Sequence, residues 1–278
     1  MLNMKTMTNA RKFAFAGMAM TSLFLFAACG GGQQANKATQ DDNLPKDSLV
    51  KEVTKYPLPT AFEVTNLLNK AGAGYILSIS NTISNSDKYF TEKSKAINLG
   101  VYGADLAYAS TYQMKQETMN YLKVSKKMID ELQISTEFNS TFADRVEKNI
   151  DSQDSLIKII SDSFYKTYEF LTSNGKDNLS LLVMSGSWVE GVYITSEIEK
   201  TSKNPQDIIK ILQGQDASLV KLLDLLDKNK SNADIAEMQT KLQVVADAYK
   251  TIQGDKVDQK MLDKFGVVVE KLRNELIK

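Results

Sequence analysis

Histidine does not occur in this 278-residue chain, cysteine and tryptophan occur once each, and proline occurs four times. Each scarcity excludes something. Without imidazole there is no general base whose ordinary pKa lies near neutrality. There is also no Ser-His or Cys-His nucleophile pair and no zinc site built on imidazole and thiolate. A lone cysteine allows no internal disulfide, so the body must be held by its core. Lys and Arg number 34, as do Asp and Glu, a balance that gives no reason to expect nucleic acid. Carboxylate or lysine chemistry survives these exclusions, but the expectation is a protein that is not an enzyme and has no cofactor or metal. Asp151-Ser-Gln-Asp154 lacks the glycine and distal glutamate of a calcium loop and reads as acids at a helix start.

The N-terminus carries an address. Lys5, Arg11 and Lys12 precede the apolar run FAFAGMAMTSLFLFAA at 13–28, which ends in two small residues and is followed at once by Cys29. Its sixteen residues are short of the roughly 20 that span a bilayer. Residues 1–28 therefore read as a lipoprotein signal peptide, with Cys29 the lipidated first residue of the mature chain. Each buried methylene contributes about 0.8 kcal/mol, so several acyl chains anchor firmly. Gly30 in place of an aspartate favours the outer membrane, facing the periplasm. Cleavage removes three of the 34 Lys and Arg and leaves 31 against 34 acids, with no basic patch for anionic lipid. Residues 29–58 read as a flexible tether, polar and without apolar periodicity, reaching on the order of 28 Å.

From 59 to 278 the periodicity is helical, and no segment alternates as a strand does. The spacing predicts an all-α bundle of about nine helices, at about 60–84, 91–112, 115–133, 136–149, 152–173, 177–201, 205–229, 232–252 and 256–277. Thr60 with Glu63 forms a capping box. Ile235, Met238, Leu242, Val245 and Tyr249 make one narrow stripe; Leu262, Phe265, Val269, Leu272 and Leu276 make another. With Gly254-Asp255 between them they predict a C-terminal hairpin over about 232–278.

Three stretches are nearly uncharged. Residues 71–86 carry no charge, 96–114 carry only Asp105, and 178–196 carry only Glu190. The third is apolar all round, as a central helix is. Gly72, Gly74, Gly100, Gly103, Gly186 and Gly191 in these stretches predict close approach of their backbones, since glycine otherwise costs a helix about 1 kcal/mol. Asp105 and Glu190 lie on apolar faces, where a carboxylate must be neutral, paired or hydrogen-bonded. One reading makes Asp105 and Glu190, with Tyr102, Tyr108, Tyr112, Trp188 and Tyr193, a pocket for a small polar or cationic ligand. The other has tyrosine hydroxyls or backbone amides satisfying the carboxylates structurally, and it is the simpler one. As acid and base they would serve a carboxylate-dependent enzyme, the least favoured class.

Leu67-Leu68-x-x-Ala71-Gly72-Ala73 matches Leu181-Leu182-x-x-Ser185-Gly186-Ser187 at an offset of 114, shared by Ile97/Ile211 and Gly100/Gly214. A duplication would give two similar halves; coincidence among small-residue helices is the simpler account. The runs YPLPTAFEVTNLLNKAGAGYI (56–76), NLGVYGADLAYAS (98–110) and GSWVEGVYI (186–194) resemble those of an uncharacterised family of all-helical lipoproteins from Bacteroidota. The resemblance covers most of the chain from Tyr56 to about Lys200. It implies an envelope location and a helical fold and brings no activity. The expected function is a membrane-anchored binding protein, attached through the Cys29 lipid, for a small ligand or an envelope partner; the alternative is a structural envelope protein.

Overall fold

The structure, a computed structural model, describes residues 58–278 apart from 135, 136 and 204, and the side chains of 137–140 are also outside it. The signal peptide, Cys29 and the tether up to residue 57 therefore lie outside the described residues. Leu58, the last tether residue by sequence, is buried with the core.

Among the described residues there are ten α-helices and no strand: α1 (Ala61–Lys70), α2 (Glu92–Thr111), α3 (Lys115–Glu131), α4 (Glu137–Lys148), α5 (Gln153–Ser173), α6 (Asp177–Thr201), α7 (Pro205–Gly214), α8 (Asp216–Lys228), α9 (Ala233–Tyr249) and α10 (Gln259–Leu276). The fold is the all-α bundle that the periodicity predicts, with ten helices in place of nine. Its axis is the pair α2 and α6, whose inner stretches carry only the charges of Asp105 and Glu190. Both are buried along most of their length. A Cβ on Gly100 would stand 2.0 Å from the Val183 carbonyl oxygen, and one on Gly186 would stand 2.0 Å from that of Ile97. The two backbones touch where the two glycines meet. Helix α3 packs along α2, α7 and α10 pack along α6, and α1 rests on both central helices.

The sequence expectation needs two corrections. The first predicted helix ends at Lys70 rather than continuing to 84. Gly72 takes a left-handed backbone (φ +78°), and the Ala73 N–H turns back to the Leu68 carbonyl at 3.1 Å, closing the helix. Residues 71–91 form a strap with two short 3-10 turns, Leu77–Ile79 and Ile83–Lys88. The uncharged stretch 71–86 is thus a cover over the central helices, not a third helix among them. The matched runs at 67–73 and 181–187 also part company here, one leaving a helix and the other running through the middle of α6.

The second correction is the division of 205–229 at Gln215. Its backbone N–H bonds to Leu212 O at 3.2 Å, while its own side-chain amide reaches Ile211 O at 3.4 Å and Thr195 Oγ1 at 3.1 Å. A side chain has taken the carbonyl that the helical ladder would use.

The predicted C-terminal hairpin is present as α9 and α10. All ten residues of its two stripes are buried, and Gly254 turns the chain with φ +88°. Thr60 and Glu63 form the predicted capping box, with Thr60 N–H donating to Glu63 Oε2 at 2.6 Å. Asp154 stands in the first turn of α5, and Asp151 pairs with Lys115.

Candidate functional site

Asp105 and Glu190 occupy the middles of α2 and α6 and are both 0% exposed. Glu190 is paired with Arg273 of α10 through two parallel bonds, Nε to Oε2 at 3.0 Å and Nη2 to Oε1 at 2.9 Å. This is the bidentate geometry that suits guanidinium and carboxylate. The same Nη2 donates to the Ile79 carbonyl at 3.1 Å, and the guanidinium lies 4.6 Å above the centre of the Tyr193 ring. Asp105 Oδ2 accepts the Asn81 N–H at 3.0 Å, whereas Oδ1 makes no hydrogen bond of ordinary geometry.

The electrostatics follow from two carboxyls facing one guanidinium. Burial pushes Asp105 well above its usual range, and the neighbouring Glu190 pushes it further, against the pull of Arg273 and the Asn81 N–H. Burial also raises Glu190, with Arg273 opposing. Burial works against the Arg273 charge, but Glu190 outweighs it and the guanidinium is held charged. If both carboxyls were ionised, the buried cluster would carry an uncompensated negative charge. One proton shared by the pair balances it. Asp105, beside Glu190 and with no cation bonded to it, is the carboxyl that burial holds well above its usual range.

What this cluster holds is the strap. Going along it, Ile76 N–H donates to Tyr108 Oη at 2.8 Å, Ile79 O accepts from Arg273, Asn81 N–H donates to Asp105, and Thr82 O accepts from Tyr102 Oη at 2.8 Å. Asn81 Nδ2 also donates to Tyr89 Oη at 3.0 Å, which in turn donates to Ile277 O at 3.1 Å. Where the strap turns inward, as at the buried Ile79 and Asn81, its backbone groups must find partners, and here side chains from α2 and α10 supply them.

Of the residues singled out by sequence, the structure therefore brings together Asp105, Glu190, Tyr102, Tyr108 and Tyr193 around Arg273 and the strap. Tyr112 meets Tyr108 edge-to-face and Tyr75 at a tilt, at ring-centre distances of 5.1 Å and 5.7 Å. Burial lifts Tyr108 and Tyr193 to about 12, so both stay neutral. Trp188 lies elsewhere, on the far side of α6, its ring 6.3 Å from that of Tyr249. It borders a cavity of about 20 Å³ walled in part by Leu58 and Gln215. Sequence reasoning missed Arg273. Its signal was available: it sits four residues after Val269, a cation adjoining the apolar stripe of α10, as Glu190 is an anion on an apolar face of α6.

A second cavity, of about 40 Å³, lies between α2, α3, α5 and α6, with Phe142 of α4 contributing to its wall. Leu106, Ile129, Ile160 and Val183 give it an apolar lining, and no charged residue takes part. Phe164 and Tyr168, one turn apart on α5, are its half-exposed lining residues and form its rim. The Phe164 ring rests on the bare backbone of Gly103, where a Cβ would stand 2.6 Å from its tip. Ser125, Ser163, Thr167 and Ser180 add hydroxyls. The Ser125 Oγ is buried without a partner, a situation that costs about 1–3 kcal/mol.

No family model matches the chain, and no match is found among curated proteins or solved structures. No helix among the described residues is long and apolar enough to cross a membrane.

Proposed function

We propose that the protein is a lipid-anchored, non-catalytic component of the bacterial envelope that binds a small molecule in the cavity between α2, α3, α5 and α6. The observation that carries this reading is the cavity itself. It is apolar, uncharged and rimmed by two half-exposed aromatics, unlike the larger pocket of about 310 Å³ whose lining includes Glu92, Lys95, Glu131 and Lys176. At about 10–15 Å³ for each water-sized occupant, 40 Å³ takes one small apolar group and leaves the rest of a ligand at the rim. The buried carboxylates serve the strap, and with no exposed surface they meet no substrate in this conformation. Anchoring rests on the signal sequence and Cys29, and the expected site is the outer membrane, facing the periplasm.

The test is native mass spectrometry of the full chain extracted from its own envelope in mild detergent, beside a Ser163→Leu variant whose larger side chain fills the cavity. A retained small molecule in the parent that is missing from the variant is the expected result. Equal retention by both, or none by either together with no response of cavity methyl groups to small apolar probes, overturns it.

A second reading, an envelope protein partner, is favoured by the strap. Three of its apolar side chains face solvent: Leu77 at 62% exposure, Ile83 at 40% and Phe90 at 82%. Crosslinking in intact cells that captures one partner through Phe90, and not through α5, would favour it.

A further inference from the structure

From the wall of the cavity we infer its ligand class: an uncharged molecule with an apolar body and one hydrogen-bonding group, such as an alcohol, a ketone or an amide, that meets Ser125. This rests on the proposal that the cavity is a binding site. Two independent features of the wall carry it.

The first is the missing charge. None of the residues around the cavity is Asp, Glu, Lys or Arg, so a carboxylate or an ammonium group would enter a low-dielectric space with nothing to balance it. An uncompensated buried charge is among the most costly events in a protein interior. The second is the unmatched hydroxyl. Ser125 belongs to α3, is 4% exposed, and has an Oγ with no hydrogen-bond partner. A helical serine commonly donates to the carbonyl four residues back, as Ser110 does to Leu106 O at 2.7 Å and Ser185 to Leu181 O at 2.8 Å. Ser125 does not, so its donor and acceptor capacity is unspent on the wall of an apolar space. A pure hydrocarbon would fill that space and leave the hydroxyl bare. A neutral hydrogen-bonding ligand would satisfy it.

The experiment uses four probes of one shape: toluene, benzyl alcohol, benzoate and benzylammonium. Each is small enough at its substituent to put that group into the 40 Å³ cavity while the ring rests at the Phe164 and Tyr168 rim. They are titrated into the full chain with Ile, Leu and Val methyl groups labelled. The shifts of Ile129, Ile160, Leu106 and Val183 report occupancy. Benzyl alcohol is expected to bind about 2- to 10-fold more tightly than toluene, the worth of one neutral hydrogen bond, and both charged probes at least about tenfold more weakly than benzyl alcohol. In Ser125→Ala, which removes no existing hydrogen bond, the alcohol and toluene should become equal. Equal binding of alcohol and toluene to the parent, an advantage that survives Ser125→Ala, or tightest binding by a charged probe overturns the ligand class while leaving the cavity a binding site. If none of the four probes moves those methyl groups, the binding site itself fails, and the ligand class with it.

Discussion

At the scale of single residues, the centre of the molecule is an acid that burial holds above its ordinary range. Asp105 is raised above its ordinary 3.8, first by burial and then by Glu190. A folded-state pKa above the unfolded one contributes stability that is complete below the unfolded value and lost as pH rises through the folded value. An asparagine at this position does not titrate and can still accept the Asn81 N–H. Asp105→Asn should therefore match the parent near pH 4 and become increasingly the more stable of the two as pH rises, read by thermal unfolding across pH 4 to 9. A difference that ignores pH would show that Asp105 is ionised throughout. Glu190→Gln alone should be milder than the loss of a buried ion pair suggests, because Asp105 can release its proton and face Arg273 in its place. The double variant strands the guanidinium, which cannot neutralise itself, and should cost about 3–5 kcal/mol. A double-mutant cycle in denaturant reads this as strong non-additivity; simple additivity would mean that the two carboxyls do not share a proton. The sequence made the two carboxylates conspicuous but not their partner. Glu190 and Arg273 are 83 positions apart, and pattern within one helix cannot say which distant helix lies opposite.

At the scale of elements, the contact between α2 and α6 fixes everything that leans on it. The atoms that a Cβ on Gly100 would strike are the Val183 carbonyl oxygen at 2.0 Å and the Ser187 amide nitrogen at 2.7 Å, both backbone, so no side chain can swing aside. Gly100→Ala and Gly186→Ala must push two helices apart, at about 1–3 kcal/mol each, more than the roughly 1 kcal/mol that alanine adds in helix propensity. In a body of this size each kcal/mol lowers Tm by about 2–4 °C. Gly74→Ala, with nothing within 4 Å, should move it by less than about 0.5 kcal/mol. If all three behave alike, the close approach does not hold the helices. Most helices were legible because their stripes, caps and breakers agree: Thr60 caps α1, and Gly254 turns the chain between α9 and α10. The strap was not legible, because Ala71 to Ser86 has the apolar, uncharged composition of a central helix. What makes it a strap is Gly72 at positive φ and a set of buried side chains on α2 and α10, partners that only the folded chain brings to it. The 40 Å³ cavity was invisible for a related reason, since a gap is a property of how five helices fit and of no one of them.

At the scale of the whole molecule, the proposed anchor at Cys29 and the helical body should be separable. No residue from Leu58 onward is cysteine, so no disulfide ties the described body to the thiol at position 29. If lipid at Cys29 supplies all the membrane binding, Cys29→Ser, with its signal peptide still removed, should leave the membrane fraction and appear free in the periplasm. It should keep the parent's Tm within about 1 °C, since no described residue can form a disulfide with position 29, and its cavity should bind benzyl alcohol as before. Fractionation with a high-salt wash, followed by thermal unfolding of the released protein, reads both halves. The result that would sink this separation is a variant that stays with membranes through the wash. Salt screens charge but leaves apolar insertion untouched, so such a variant would hold by Leu77, Ile83 and Phe90. The strap would then be a second point of attachment to the envelope, and the buried Asp105–Glu190–Arg273 cluster that pins it would act in membrane binding as well as in the fold.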